Sequence, residues 1–384
     1  MRILVLNGGS SSLKATLRDV GAVDGDAPAP LWDAHVEWGR DPAKASMRIA
    51  GKSSTLAIQS PADVLKPVLD TVPRPVDVVG HRVVHGGVAY RETTRITPEV
   101  KDGIRKYCEF APEHNRLELE AIEAAEQAFG GVPQIAVFDT AFHATMPEEA
   151  RVYPGPYDWL EQGIRRYGFH GISHQYVSRR AAQMVACRRL VSCHLGSGAS
   201  VAAIRDGASV DTTMGFTPLE GLMMGTRSGS VDPGILIYLV RHKGYDAAEL
   251  DRILNKESGL KGISGLSGDM REILAAMDRG DPRARLAFDM YVHRLCREIG
   301  GMVASLGGMD ALLFTAGVGE NCPPLRAAVC DRLGFLGVAM DPAKNAATAQ
   351  DIDIAALDSR VRVLVVHTDE DWQIARDCVR LAAN

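Results

Sequence analysis

The chain has 384 residues, with Lys+Arg 43 against Asp+Glu 48, a formal net charge of -5, 46% hydrophobic and 24% charged residues. This is the composition of a folded globular chain long enough for two domains, each able to bury a core without disulfides or structural metal; with no basic block it lacks the electrostatic footprint of a general nucleic-acid binder, although small anions remain possible ligands. No apolar run approaches the ~20 residues that span a bilayer, and the seven scattered cysteines show no C-x-x-C spacing, which argues against a disulfide framework or a cysteine zinc site and for a reducing cytoplasm.

The opening stretch, MRILVLNGGSSSLK, reads as a strand entering a Gly/Ser turn and is too soon broken by Asn7-Gly8-Gly9 to be a signal peptide. A second strand through Leu17-Arg18-Asp19 completes a hairpin. The stretch from Asp24 to Ser54, rich in Ala, Pro and Gly, is expected to form exposed strands and loops. Val76 to Val84 is a strand-like run interrupted at Gly80-His81-Arg82, Leu117 to Phe129 has helical spacing closed by Gly130-Gly131, and Ile135 to Phe138 is a buried-strand run ending at Asp139. Ser173 is the expected cap of a helix running through Val185.

Near the midpoint the opening is echoed. Val191 to Asp206 repeats the pattern of Leu4 to Asp19 at an offset of 187, with Gly9/Gly196, Ser10/Ser197, Leu17/Ile204, Arg18/Arg205 and Asp19/Asp206 aligned. An offset near half the length implies two similar lobes. Asp232-Pro233 and Asp281-Pro282 each place a cap and an N1 proline before a helix, the second running toward Ser305. Leu312-Leu313-Phe314 is a short strand, and Val361 to Val366 a last strand before a C-terminal helix. Alternating elements of this kind indicate α/β lobes.

The 38 glycines exceed the usual ~7% share and gather at strand ends. Three glycine-bearing turns are expected, Asn7 to Ser12, His194 to Ser200 and Gly317 to Asn321. Such turns let backbone N–H groups close on phosphate, and Lys14 follows the first, but any one of them also reads as a plain hairpin. None fits the P-loop or Rossmann fingerprint. Arg82 within Gly80 to Gly87, and Arg227 within Gly225 to Gly229, suit bidentate recognition of carboxylate or phosphate; they also suit capping or surface roles. A histidine in Gly168 to His174 would stabilise developing negative charge if protonated. Asn7, Asp139 and Glu370 each follow an apolar strand, where they could share one hard cation. The eleven histidines have no zinc spacing.

Seven segments carry a family resemblance: Val5 to Lys14, Gly80 to Gly87, Phe138 to His143, Arg165 to Gly171, Gly215 to Gly221, Met224 to Arg227 and Phe314 to Asn321. In order, over essentially the whole chain, they resemble the motifs of the acetokinase family. The resemblance implies an α/β fold of two duplicated ribonuclease-H-like lobes, of the actin/Hsp70/sugar-kinase type, around a nucleotide cleft. Residues 1–141 with 371–384 would form the N-terminal lobe and 142–370 the nucleotide-binding lobe. The implied reaction is reversible, Mg²⁺-dependent phosphoryl transfer from ATP to acetate, giving acetyl phosphate and ADP; propionate or another short-chain acid is the alternative acceptor. A cytoplasmic homodimer without nucleic-acid or membrane partners is also implied.

By the same resemblance Asn7 and Glu370 would hold Mg²⁺, with Mn²⁺ as a substitute, and Ser10, Ser12 and Lys14 would contact nucleotide phosphate. Arg82 would bind the acyl carboxylate or the transferring group, beside an acyl pocket of Val84, Phe169 and Pro218. Asp139 resembles the catalytic acid, and His170 and Arg227 the residues that stabilise the transition state. His194, Leu195, Gly196, Ser197 and Gly198, then Asp269, Met270 and Arg271, then Gly317, Val318, Gly319, Glu320 and Asn321 correspond to nucleotide-binding stretches. Because an acetate carboxylate is already a nucleophile, Asp139 is expected chiefly to orient metal and water. The chain departs from the family pattern twice. Glu113 stands where a pocket leucine is usual, and is expected to turn outward or pair with an arginine; Ser197 stands where Asn is common.

Overall fold

The computed structural model describes residues 1–9, 12–21, 23, 25–38, 43–107, 112–347 and 351–383, the side chains of 112–114 excepted. The Ser10 contact and the orientation of Glu113 therefore lie outside the described residues. Two compact units are present, Met1–Phe142 with Asp369–Asn384, and His143–Thr368. Among the described residues no helix is long and apolar enough to cross a membrane.

The first unit is built on an eight-stranded sheet. Its strands are β1 (Arg2–Gly8), β2 (Ser12–Asp19), β3 (Trp32–Glu37), β4 (Lys44–Ile49), β5 (Lys52–Ala57), β6 (Val78–Val83), β7 (Thr94–Arg95) and β8 (Gln134–Phe138), in the spatial order β5-β4-β3-β2-β1-β6-β8-β7. β1 runs antiparallel to β2 and parallel to β6, which in turn runs parallel to β8. β1 is a continuous buried run because helices cover both of its faces. Leu4 and Leu6 share one apolar cluster with Ala121 and Ala125 of the helix Pro112–Phe129. On the other face Val5 lies beside Gly80 of β6, and a Cβ on Gly80 would stand 2.6 Å from Cys378 Sγ and 3.0 Å from Ile374 Cγ2 of the helix Glu370–Ala382.

That close approach corrects the expected interruption at Gly80-His81-Arg82. β6 is unbroken there, and its glycine admits the helix instead of ending the strand. The described residues of the stretch Asp24 to Ser54 are likewise less exposed than expected, since Trp32, Ala34, Val36, Ala45 and Met47 turn into the core from β3 and β4.

The second unit repeats the plan. Its strands are β9 (Arg189–Leu195), β10 (Ala199–Arg205), β11 (Ala208–Thr212), β12 (Ala311–Thr315), β13 (Ile352–Asp353) and β14 (Arg362–Val365), ordered β11-β10-β9-β12-β14-β13. The five strands β11-β10-β9-β12-β14 match β3-β2-β1-β6-β8 in order and in direction. This is the expected pair of duplicated ribonuclease-H-like sheets. The two hairpins differ by one residue, however: Gly8 pairs with Leu13, whereas Leu195 pairs with Ala199. Past the shorter turn the echo slips. Asp19 pairs with Arg2 inside the ladder, while Asp206 has φ 49° and, with Gly207 at φ 81°, makes the tight turn into β11. Asp232 and Asp281 cap the helices Pro233–Lys243 and Pro282–Leu306 as their Asp-Pro starts require.

Candidate functional site

In the first unit the candidate residues meet at the ends of β1, β6 and β8. Asn7 projects onto the face covered by the C-terminal helix, and its Nδ2 donates to Glu370 Oε2 at 3.1 Å and Asp371 Oδ1 at 3.0 Å in that helix's first turn. Its cross-strand neighbour is Lys14, exposed on β2, whose field reaches Asp371. Burial raises the Asp371 carboxyl above its usual range, opposed by the Asn7 hydrogen bond. Ser12 opens β2, and its carbonyl accepts from Gly9 N at 2.7 Å to close the turn.

Arg82, near the end of β6, spans two of these strand ends. Its Nη1 donates to the Gly8 carbonyl at 2.9 Å and its Nη2 to Asp139 Oδ2 at 2.9 Å. Burial works against the guanidinium charge, but Asp139, then Glu370 and Glu118, more than offset it, so Arg82 stays charged. Asp139 follows β8 and is 1% exposed. Val84 is buried, and its N–H donates to both oxygens of Glu118, at 3.1 and 3.0 Å, from the helix Pro112–Phe129. The next residue of that loop is held by Asn115, whose Oδ1 accepts from His85 N at 3.3 Å and whose Nδ2 donates to the His85 carbonyl at 3.2 Å. Sequence reasoning missed both anchors; their only signal was a polar pair, Asn115 and Glu118, on the face that leads into Leu119 and Ile122. His81 is scaffold. Burial pushes it down to about 4, against a 2.5 Å hydrogen bond with Gln134.

These first-unit groups offer oxygen donors, as a hard divalent cation requires. Among the described residues no cluster of three His, Cys, Asp or Glu side chains is set to chelate a metal. Asn7, Glu370 and the buried Asp371 nevertheless gather carboxylate charge at one strand end, where Arg82 is already committed to Asp139. That donor set fits Mg²⁺, which typically keeps several waters and takes one or two protein carboxylates.

In the second unit the candidates surround the β9–β10 turn. The helix expected to start at Ser173 begins earlier, at Gly171, because His170 takes a left-handed φ of 57° as its N-cap. Gly168 makes this reversal possible; it has φ +77°, and a Cβ there would stand 2.6 Å from Thr212 and 2.7 Å from His143. Phe169 is buried, with its carbonyl 3.1 Å from His143 Nε2. Ser173 instead joins His194 Nδ1, at 2.8 Å, and Thr368 Oγ1, at 2.9 Å. His170 stacks on His194 with ring centroids 4.1 Å apart. Arg227 Nη1 donates to the Pro218 carbonyl at 3.1 Å. The position a Cβ on Gly198 would take is 3.2 Å from His170 Nε2 and 3.4 Å from Arg227 Nη1, so the turn brings both cationic candidates to one point.

Beside this point lies a cavity of about 610 Å³ lined by Gly196 and Ser197, by Asp269, Met270 and Arg271, and by Gly317, Val318 and Asn321. Gly225 and Thr226, from the motif that carries Arg227, also line it, as do Gly268, Leu274 and Cys322, which were not candidates. Gly225 and Gly268 stack backbone on backbone, a contact that small residues alone permit and that only the fold reveals. His194 and Leu195 lie within β9 and do not line the cavity. Gly317 to Asn321 is not the expected turn but part of a short helix, Ala316–Asn321. Within it Gly319 is buried, and Glu320 turns back to accept from Ala316 N at 2.8 Å and Thr368 N at 3.2 Å. Burial would raise Glu320, but the 2.7 Å hydrogen bond with His367 and the backbone donors hold it below the usual range. Arg326, 2% exposed, supports this helix by donating to the Gly319 and Glu320 carbonyls at 2.8 and 2.7 Å.

The family model of the acetokinase family matches residues 2–376. The chain belongs to the acetokinase family. It is 56% identical to the acetate kinase of Gloeobacter violaceus, with 98% of each chain covered. The crystal structure of Porphyromonas gingivalis acetate kinase superposes with a TM-score of 0.89 at 39% identity, covering 99% of both chains. A propionate kinase from Francisella tularensis superposes with a TM-score of 0.88 at 36% identity over 98% of both. These acetokinase-family relatives span the whole chain, so both units are common to them.

Proposed function

We propose that this chain is an ATP:acetate phosphotransferase, forming acetyl phosphate and ADP by direct in-line attack of the acetate carboxylate on the γ-phosphorus. The observation that carries this is membership of the acetokinase family over residues 2–376. Transfer to a carboxylate needs alignment and neutralisation of charge more than deprotonation. The charged groups of the two units suit that task.

In the first unit Asn7 and Glu370 are assigned to Mg²⁺, and Lys14 with Ser12 to nucleotide phosphate. When bound, the cation would supply neutralisation of the phosphate charge. Arg82 is assigned to the acyl carboxylate or the transferring group, and Val84 to the acyl chain. Asp139 fixes the Arg82 fork and orients water near the metal. In the second unit Arg227 and His170 stabilise charge on the equatorial oxygens, while Phe169 and Pro218 face the acyl chain. The 610 Å³ cavity is assigned to the nucleoside, with Asp269 to Arg271 and the Gly317 helix as its walls. The location is the cytoplasm.

A homodimer is also proposed, and its surface is the helix Pro233–Lys243. No residue of that helix is buried, yet Ile235, Ile237, Tyr238 and Val240 are 48–52% exposed. An apolar helix of that kind is suited to burial against a second copy.

A hydroxylamine trap with acetate, ATP and Mg²⁺ tests the activity. Acetyl hydroxamate is expected, and its absence from folded, metal-replete protein would refute the assignment. The propionate kinase neighbour makes propionate the second reading, and comparing kcat/KM for acetate, propionate and butyrate decides between them.

A further inference from the structure

Beneath His170 the second unit holds a line of buried polar side chains that phosphoryl transfer does not by itself require. His170 Nδ1 lies 2.9 Å from Ser200 Oγ, Ser200 Oγ lies 2.8 Å from His174 Nε2, and His174 Nδ1 lies 2.9 Å from Ser192 Oγ. Ser192, Ser200 and His174 are completely buried. The line starts from β9 and β10, crosses the helix Gly171–Met184 at His174, and ends at the ring whose Nε2 faces Gly198 and Arg227.

Each hydroxyl has one proton to donate, and a neutral imidazole has one donor and one acceptor nitrogen, so the line has a direction. If Ser192 donates to His174 Nδ1, then His174 Nε2–H donates to Ser200 and Ser200 donates to His170 Nδ1. A neutral His170 then carries its proton on Nε2. Run the other way, His170 Nδ1–H donates to Ser200, and a neutral His170 would turn a lone pair toward Gly198. A phosphoryl oxygen is an acceptor and selects the first direction.

The groups facing His170 come from four elements. They are the Arg227 guanidinium from the loop, His194 stacked on it from β9, Ser200 from β10, and His174 from its own helix; His143 and His194 face His174 in turn. A second positive charge there would stand beside that of Arg227, both side chains being part-buried. Burial, with His143 and His194, keeps His174 well below the usual imidazole range, so it remains neutral and able to relay direction.

Resting on the assignment of His170 to the transferring phosphoryl group, we propose that Ser200 and His174 are positioning residues that hold His170 as a neutral imidazole with its proton on Nε2, a hydrogen-bond donor that needs no positive charge. The test pairs a pH profile with nitrogen-15 spectra of labelled histidines. The wild-type kcat is expected to show no imidazole-linked fall as pH rises from about 6.5 to about 9. Ser200→Ala frees the ring, so its kcat is expected to fall a few-fold above the ordinary imidazole range and then level off, because the neutral ring then divides between its Nε2–H and Nδ1–H tautomers. Ser192→Ala, at the far end, gives the same trend more weakly should Ser200→Ala fail to fold. In the wild-type spectrum, with His170→Gln for assignment, His170 is expected as the neutral tautomer protonated at Nε2. An imidazolium or an Nδ1–H tautomer there overturns the proposal, and so does a Ser200→Ala kcat reduced equally at every pH. The spectrum is read with ADP, Mg²⁺ and inorganic phosphate, which supply the acceptor oxygen without turnover, so it stands even if the trap assay fails and the assigned activity falls.

Discussion

Gly198→Ala separates catalysis from folding. Gly198 lies outside the left-handed region, so alanine fits its backbone, and the loss of unfolded-state freedom is worth about 0.4–1 kcal/mol in favour of the fold. The new methyl would stand 3.2 Å from His170 Nε2 and 3.4 Å from Arg227 Nη1. Ordinary contact needs ~3.5–4.0 Å, so both groups must yield by a few tenths of an ångström. Neither yields freely: His170 is tied to Ser200 and stacked on His194, and Arg227 is tied to the Pro218 carbonyl. A phosphoryl oxygen bonded to both would sit ~2.8 Å from each, in the space the methyl takes. Since a misplacement of ~1 Å costs ~100-fold, a loss of ~10–100-fold in kcat is expected, with Tm unchanged or slightly raised. Steady-state kinetics at saturating ATP and acetate, beside thermal unfolding, measure both. A stable Gly198→Ala enzyme with near wild-type kcat would show that the reacting group does not occupy the point shared by His170 and Arg227.

Three further outcomes are expected. Burial, opposed by Arg82 and the Val84 N–H, pushes the Glu118 carboxyl up to about 8 from 4.5, so its contribution to stability is fully present below about 4.5 and is lost as pH rises through about 8; Glu118→Gln, which keeps an acceptor for Val84, should gain a few kcal/mol relative to wild type at about pH 9 and little at about pH 5, as read by denaturant unfolding. Gly80→Ala should cost ~1–3 kcal/mol by overpacking against Cys378 and Ile374, and Cys378→Ala in the same chain should recover part of that loss; strict additivity of the two changes would contradict the contact. Ile237→Asp, at a position 52% exposed, should leave the protein folded but shift it from dimer to monomer in light scattering, and a dimer that persists would move the interface elsewhere.

Much of the fold was legible because its signals are local. Asp232-Pro233 and Asp281-Pro282 start helices through a cap and a fixed φ, which neighbours do not alter. The apolar runs of β1, β8 and β12 are strands because both sheet faces are covered. Errors arose where a residue's meaning depends on what packs against it. Gly80 looked like a strand end, but it is the gap through which the C-terminal helix approaches β6. Ser173 looked like a cap, but its hydroxyl serves His194 while the helix begins on a left-handed His170. The tight turn at Asp206-Gly207 had a clear local signal that the echo of Asp19 obscured.

The candidate site divides along the same line. Asn7, Arg82, Asp139, His170 and Arg227 stand in contiguous motifs, and a strand end followed by a polar or charged residue is visible in one dimension. Glu118 and Asn115 reach their loop from 34 and 30 positions away, Gly268 packs on a glycine of a distant motif, and Arg326 lies 6 and 7 positions from the carbonyls it holds, all through backbone hydrogen bonds and close packing that leave no periodic trace. Sequence alone determined the duplicated α/β plan and the family, because both are written in order along the chain. Only the tertiary structure decided which groups orient the reactive ones. A buried hydrogen bond such as His170 to Ser200 joins residues 30 positions apart, and its geometry exists only once two strands and a helix have packed.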